Sequence, residues 1–226
     1  MTASIPKSGK TLVPEIPLWQ SATWEDYRMY RDDSTLDRIR LFFNDGYLLV
    51  EMGSEGINHA KVSDLLILIL GFWFSAQSNQ TAESLGRCLL EKPKKKAGAP
   101  DLVLYVGGEF PQWQPGEPRR INLDQWRVPD LVGEISDTTL ATDLDEKKDI
   151  YAALGIPEYW VVDVIGLRVI AFQLQEDGKY QQCTHSLALT GLPISLLDQT
   201  LQRLSQGTNI SAATWFGQQI ANLKSE

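Results

Sequence analysis

Histidine and cysteine are scarce in this chain, two of each among 226 residues, and their scarcity removes whole classes of chemistry. His59 and His185 stand alone, so neither a Ser-His-Asp arrangement nor a zinc-ligand spacing can be assembled from the sequence. Cys88 and Cys183 lie far apart and outside any metal or redox spacing, which reads as two ordinary reduced thiols rather than a bridge. A glycine-rich phosphate loop, an internal repeat and a low-complexity tract are also lacking. Long apolar runs are missing as well. The longest, residues 65–76, is interrupted by Gly71 and falls short of the roughly 18 to 20 residues that span a bilayer. Residues 1–10 lack the apolar stretch of a signal peptide, so no membrane association and a cytoplasmic location are expected.

Positive charge is in short supply too. Against 29 Asp and Glu there are 21 Lys and Arg, a net charge of −8, which argues against a protein whose whole surface binds nucleic acid but leaves room for a local basic groove. The one dense basic run, EKPKKKAGAPD over residues 91–101, reads equally as a solvated turn before a strand and as a phosphate contact.

What the chain does have is 43% hydrophobic residues, enough for one well-buried domain. Residues 1–30 are expected to form an N-terminal arm, 31–205 the domain, and 206–226 a closing helix or tail. The text RLFFNDGYLLVEM, residues 40–52, is two apolar runs around Asn-Asp-Gly and predicts a hairpin. Residues 58–76 are apolar enough for a helix buried on most sides. Short strands are expected over 85–91 and 102–106, an inserted Pro- and Gly-rich loop over 107–126, and a strand over 131–135. A helix over 143–154 stops at Gly155, strands follow over 159–164 and 167–174, and helices close the chain near 193–204 and 212–223. This order predicts an α/β fold, with a central mixed β-sheet flanked by helices.

Lys147 is in an unexpected place. At 100° per residue with Leu144 as zero, Tyr151, Leu154 and Ile150 fall at about −20°, −80° and −120°, and Lys147 falls in the same apolar stripe at about −60°. Lys148, at about +40°, reaches the edge. An inward ammonium is costly unless paired, so carboxylates are expected on the surface this helix covers. Glu134, in the strand just before, supplies one, and Asp101, at the mouth of another apolar strand, a second. Two carboxylates on neighbouring strands repel unless a cation lies between them, and a hard divalent ion takes such oxygen ligands. Each residue alone also has a plain reading: Asp101 as a turn cap, Glu134 as half exposed, Lys147 as snorkelling to water. Together they read either as a catalytic set or as a structural ion-pair network. Asp130 and Asp163 read as turn residues, Trp160 as core, and Trp113 and Trp126 as open to either role.

The stretch PDLVGEISDTTLATDLDEKKDIYAALGIPEYWVVD, with APDLV and EMGSEGINH before it, resembles the signature of the Uma2 family of restriction endonuclease-like proteins, over roughly residues 35 to 200. The resemblance implies a PD-(D/E)XK nuclease fold and a Mg²⁺-dependent phosphodiesterase site, with Mn²⁺ as a substitute. It makes Asp101 the aspartate of the PD element, Glu134 the second acidic residue, and both of them metal ligands. The motif's lysine is expected two residues after Glu134, where this chain has Ser136; the family pattern moves it to the helix, at Lys147, with Lys148 as fallback. Glu51, Glu55, Asn58 and His59 are candidates for a further ligand near the first core helix, and His59 reads equally as a structural cap. The implied partner is nucleic acid, DNA first, and a homodimer is compatible with the fold. The alternative is a catalytically silent nuclease fold serving as a binding or assembly module through the arm and the 107–126 loop.

Overall fold

The computed structural model describes residues 18–36, 39–52, 56–77 and 80–223. Most of the expected arm lies outside these residues; its described end forms strand β1 (Gln20–Ser21) and helix α1 (Trp24–Asp32). Thr23 and Asp26 close a capping box on α1, and the buried Tyr27 donates its hydroxyl to Glu91 at 2.8 Å, which fastens the helix to the domain. The predicted hairpin is β2 (Ile39–Asn44) and β3 (Tyr47–Met52). Asp45 and Gly46 take φ of 43° and 87°, the left-handed pair that suits a two-residue turn to the strand twist.

Helix α2 (Ile57–Ser75) is long and apolar enough to cross a membrane; Leu65, Leu66, Ile69 and Trp73 are buried in the protein core, while Ile57, Ile67 and Phe72 are exposed, so the helix is covered on one face and not on most sides as expected. After it run β4 (Ala82–Leu85), β5 (Leu90–Lys92), β6 (Lys96–Gly98) and β7 (Leu102–Val106). The loop over 107–126 contains only β8 (Ile121–Asn122), and β9 (Leu131–Ser136) follows. Two short helices, α3 (Leu140–Leu144) and α4 (Glu146–Ala153), lead to β10 (Glu158–Asp163), β11 (Arg168–Leu174) and β12 (Tyr180–Cys183). Helices α5 (Ile194–Ser205) and α6 (Asn209–Leu223) close the chain.

The strands form two six-stranded mixed sheets among the described residues, where one central sheet was expected. The first runs β1-β3-β2-β6-β5-β8 and the second β12-β11-β10-β9-β7-β4, with β9 and β10 parallel. The predicted strand over 85–91 is divided between them: β4 joins the second sheet and β5 the first. Gly86 and Arg87, the latter at φ 60°, make the crossing. The basic run is the β5–β6 turn.

Alternation along the strands of the second sheet sorts its residues into two layers, and a third cluster of Tyr27, Leu41, Phe43, Leu48 and Ala97 joins α1 to the first sheet. Leu102, Leu104, Leu131 and Ile135 face α2, α5 and α6, while Val103, Tyr105 and Val132 face the first sheet and α4. Trp160 is core, and Trp126 packs beside the inter-sheet layer. Trp113 stays half exposed with Arg119 stacked on it at 5.6 Å. Asp130 accepts from the Val106 amide at 2.7 Å, and Asp163 from the Gly166 amide at 2.7 Å, each holding a turn. Both cysteines are free.

Candidate active site

Strand parity is what gathers the charged groups. Glu134 shares a face with Val132, and Asp101 with Val103; both faces look toward the first sheet. Arg40 shares its face of β2 with Phe42, and Glu51 its face of β3 with Leu49, and these look back. The β7–β9 register, Leu102 opposite Gly133, then sets Asp101 beside Glu134 at one end of the inter-sheet layer. Helix α4 caps this end.

The expected helix over 143–154 is broken at Asp145, whose φ and ψ are −119° and −92°. Just before the break, the Asp143 carboxylate accepts from Ser136 and, at 2.7 Å, from Thr139, which ties α3 to the end of β9. Within α4 the spacing i, i+3, i+4 holds, so Lys147, Ile150 and Tyr151 are all buried. Asp143, four residues before Lys147, also reaches the lysine.

Lys147 Nζ lies 2.9 Å from Asp143 Oδ1, 3.0 Å from Glu51 Oε1 and 3.7 Å from Glu134 Oε2, and 4.3 Å from the centre of the Phe42 ring. Its side chain is 1% exposed, which rules out the snorkelling reading. Arg40 is the second cation. Its Nη2 donates to Glu134 Oε2 at 2.7 Å and its Nη1 lies 3.2 Å from Asp101 Oδ1 and 3.5 Å from Glu51 Oε2, while Nε and Nη2 both donate to the Ala99 carbonyl. Asp101 Oδ2 accepts from the Ile135 amide at 2.9 Å and sits 3.2 Å from His59 Nε2. Tyr151 donates its hydroxyl to Glu134 Oε1.

These contacts set the protonation states. Burial pushes the Glu134 carboxyl up to about 8, Lys147 and Arg40 pull against it, and Asp101 and Asp143 add to the rise. Burial also works against an ionised Asp101, but Arg40, His59 and the Ile135 amide outweigh it and hold this carboxyl well below the usual range. For Lys147, burial alone would lower the pKa; Glu134, Asp143 and Glu51 overcome it, and the ammonium keeps its proton above the ordinary lysine range. A lysine so held stays charged, paired by ion contacts, and cannot serve as a base near neutral pH.

Asp101, Glu134 and Lys147, singled out from the sequence, are thus in one cluster. Of the further candidates, Glu51 joins it by bridging both cations, His59 joins through Asp101, Asn58 is exposed, and Glu55 lies outside the described residues. The fallback Lys148 sits elsewhere, 5.4 Å from the centre of the Phe172 ring. Arg40, Asp143 and Tyr151 were not picked out as site residues, although each carried a signal: Arg40 two residues before Phe42 on an inward strand face, Asp143 four before Lys147, and Tyr151 four after it.

The sequence profile of the Uma2 family, described as "Putative restriction endonuclease", matches residues 24–207. The chain belongs to the Uma2 family. The crystal structure of a "putative nuclease belonging to DUF820" from Anabaena variabilis superposes on the Uma2 chain with a TM-score of 0.55 at 15% identity, covering 79% of this chain and 98% of that one. At that identity the likeness carries the fold, which is restriction endonuclease-like. No curated protein matches the sequence. In this Uma2 chain the four carboxylates of the cluster face two permanent cations. Among the described residues, no three His, Cys, Asp or Glu form a ready metal cage, and Arg40 contacts Glu51, Asp101 and Glu134.

Proposed function

We propose that this chain is a divalent-metal-dependent endonuclease of the PD-(D/E)XK type, hydrolysing phosphodiester bonds of nucleic acid, with DNA as the expected substrate. The convergence of Asp101, Glu134 and Lys147 in one charged cluster supports this reading, Lys147 Nζ standing 3.7 Å from Glu134 Oε2 and both acids touching one guanidinium. The residues fit a hard cation in three respects. Their donors are carboxylate oxygens, the cluster with all acids ionised is left with excess negative charge, and Asp101 Oδ1 is buried without an aligned hydrogen bond. Asp101 and Glu134 would hold Mg²⁺, or Mn²⁺ in its place. Bound there, the ion supplies a Lewis acid for the phosphoryl oxygen and a lowered pKa for water.

The chain's own groups account for the rest. Lys147, permanently charged and fixed by Glu51 and Asp143, orients the attacking water by donation and stabilises the charge that builds on the phosphoryl oxygens. Tyr151 holds Glu134 Oε1, which leaves Oε2 directed at the cations. A second reading, a silent nuclease fold acting as a binding module, is favoured by one observation: Arg40 already bridges the acids that would hold the ion.

Nicking of supercoiled plasmid separates the two. Folded wild type is expected to nick with Mg²⁺ or Mn²⁺ and not with EDTA, and Glu134→Gln and Lys147→Met are expected to lose the activity. Absence of nicking under every condition, or nicking untouched by either substitution, removes the proposal.

A further inference from the structure

Among the charged groups of the cluster, Arg40 is the most open to solvent. Its side chain is 16% exposed, against 1% for Asp101, Glu134 and Lys147, 9% for Glu51 and 10% for His59. Of the cations that contact Asp101 and Glu134, it is the one whose side chain reaches solvent. It is also seated on the very atoms that a metal needs, with Nη1 3.2 Å from Asp101 Oδ1 and Nη2 2.7 Å from Glu134 Oε2. An arginine cannot lose its charge to make room. A divalent ion bound to the same two oxygens would stand within a few ångströms of a fixed positive charge, in a layer where the repulsion is poorly screened.

We propose that Arg40 is a resident counter-cation that occupies the place of the divalent ion in the metal-free protein and leaves Asp101 and Glu134 when that ion binds; this rests on the metal-dependent reading above. The anchors suit such an exchange. Three of the guanidinium's partners are carboxylates that a stronger cation can satisfy, and the fourth is the Ala99 carbonyl, one peptide from the Pro100-Asp101 pair. Withdrawn toward solvent, the side chain stands at the mouth of the site, where the phosphate of a substrate arrives, and a guanidinium binds phosphate by paired donation. The exchange therefore links metal loading to the presentation of a phosphate contact.

The arithmetic of competing states gives the size of the effect. If the withdrawn state is a tenth of the metal-free population or less, the apparent affinity of wild type for metal is reduced about tenfold or more relative to a chain without the guanidinium. Calorimetric titration with Mn²⁺ and with Mg²⁺ is to be run on wild type and on Arg40→Met, which keeps an apolar stem beside Phe42. In parallel, the Arg40 Nε–Hε signal of ¹⁵N-labelled wild type is to be followed during Mg²⁺ titration, a readout that needs no variant to fold. The expected result is binding at least about tenfold tighter in Arg40→Met, and a shift of the Arg40 signal as Mg²⁺ is added to wild type. Equal or weaker binding in the variant, or a folded wild type that binds Mg²⁺ with the Arg40 signal unmoved, overturns the exchange and leaves the metal reading standing. Absence of metal binding in both proteins removes the metal reading, and the exchange with it. If Arg40→Met does not fold, the wild-type signal alone decides.

Discussion

Replacing Lys147 by methionine deletes one charge and keeps nearly the same volume, so the cost is electrostatic rather than a cavity. The ammonium is 1% exposed and lies within 3.0 Å of both Asp143 and Glu51. Removing one partner of a buried ion pair costs about 3 to 5 kcal/mol, because the carboxylates are left unpaired. For a chain of this length that corresponds to a fall in Tm of roughly 6 to 20 °C. The cost also depends on pH in a definite direction. Glu134 titrates near 8 in the native protein and near 4.3 in an unfolded chain, so between these values the native state binds more protons and stability falls as pH rises. Lys147 is the strongest of the pulls that keep Glu134 from rising further. Without it the window extends upward, and the variant continues to lose stability above about pH 8, where wild type has levelled off with respect to this group. Urea unfolding at pH 6 and pH 9, followed by tryptophan fluorescence on metal-free protein, reads the difference. Equal midpoints for the two proteins, or a larger deficit at pH 6 than at pH 9, would refute the inward pairing of Lys147.

The same titration predicts that Glu134→Gln, free of metal, loses less stability than wild type between pH 5 and pH 8, as read by urea midpoints; the slope that remains includes the raised carboxyl of Glu158. Gly98→Ala places a Cβ 3.1 Å from Tyr151 Cε1, crowding the ring that holds Glu134, and a cost of about 1 to 3 kcal/mol is expected in thermal melts. Glu158→Ala removes the acceptor for Trp160 Nε1 at 2.6 Å and for the Leu187 and Ala188 amides at 2.9 and 2.7 Å. A loss of about 3 kcal/mol and faster hydrogen exchange at those two amides are expected; unchanged exchange would show that Glu158 does not hold this loop.

Local features were legible because their causes are local. Asn-Asp-Gly makes the β2–β3 turn through two left-handed residues, wherever the hairpin then packs. The stripe of Lys147, Ile150 and Tyr151 is a matter of helical spacing and survived the break at Asp145 because all three lie after it. Asp101 and Glu134 stood out as charges in apolar strands. The division of residues 85–91 between sheets was not legible, since β4 and β5 differ in partners, Val103–Val106 for one and Ala97 with Ile121 for the other, rather than in composition. For Asp143 only the i, i+4 relation to Lys147 is local; Ser136 and Thr139 reach it after β9 and α3 have packed.

By itself the sequence determined the α/β order of elements, the inward lysine and the two strand-borne acids, all consequences of periodicity and of the cost of burying charge. Only the tertiary structure decided what balances those acids. Arg40 is 61 residues before Asp101 and 94 before Glu134, and no spacing rule connects them; the facing of two sheets brings its guanidinium between them. Pairing across that layer is a long-range choice, made by which faces pack together, and it is what sets an arginine against both acids.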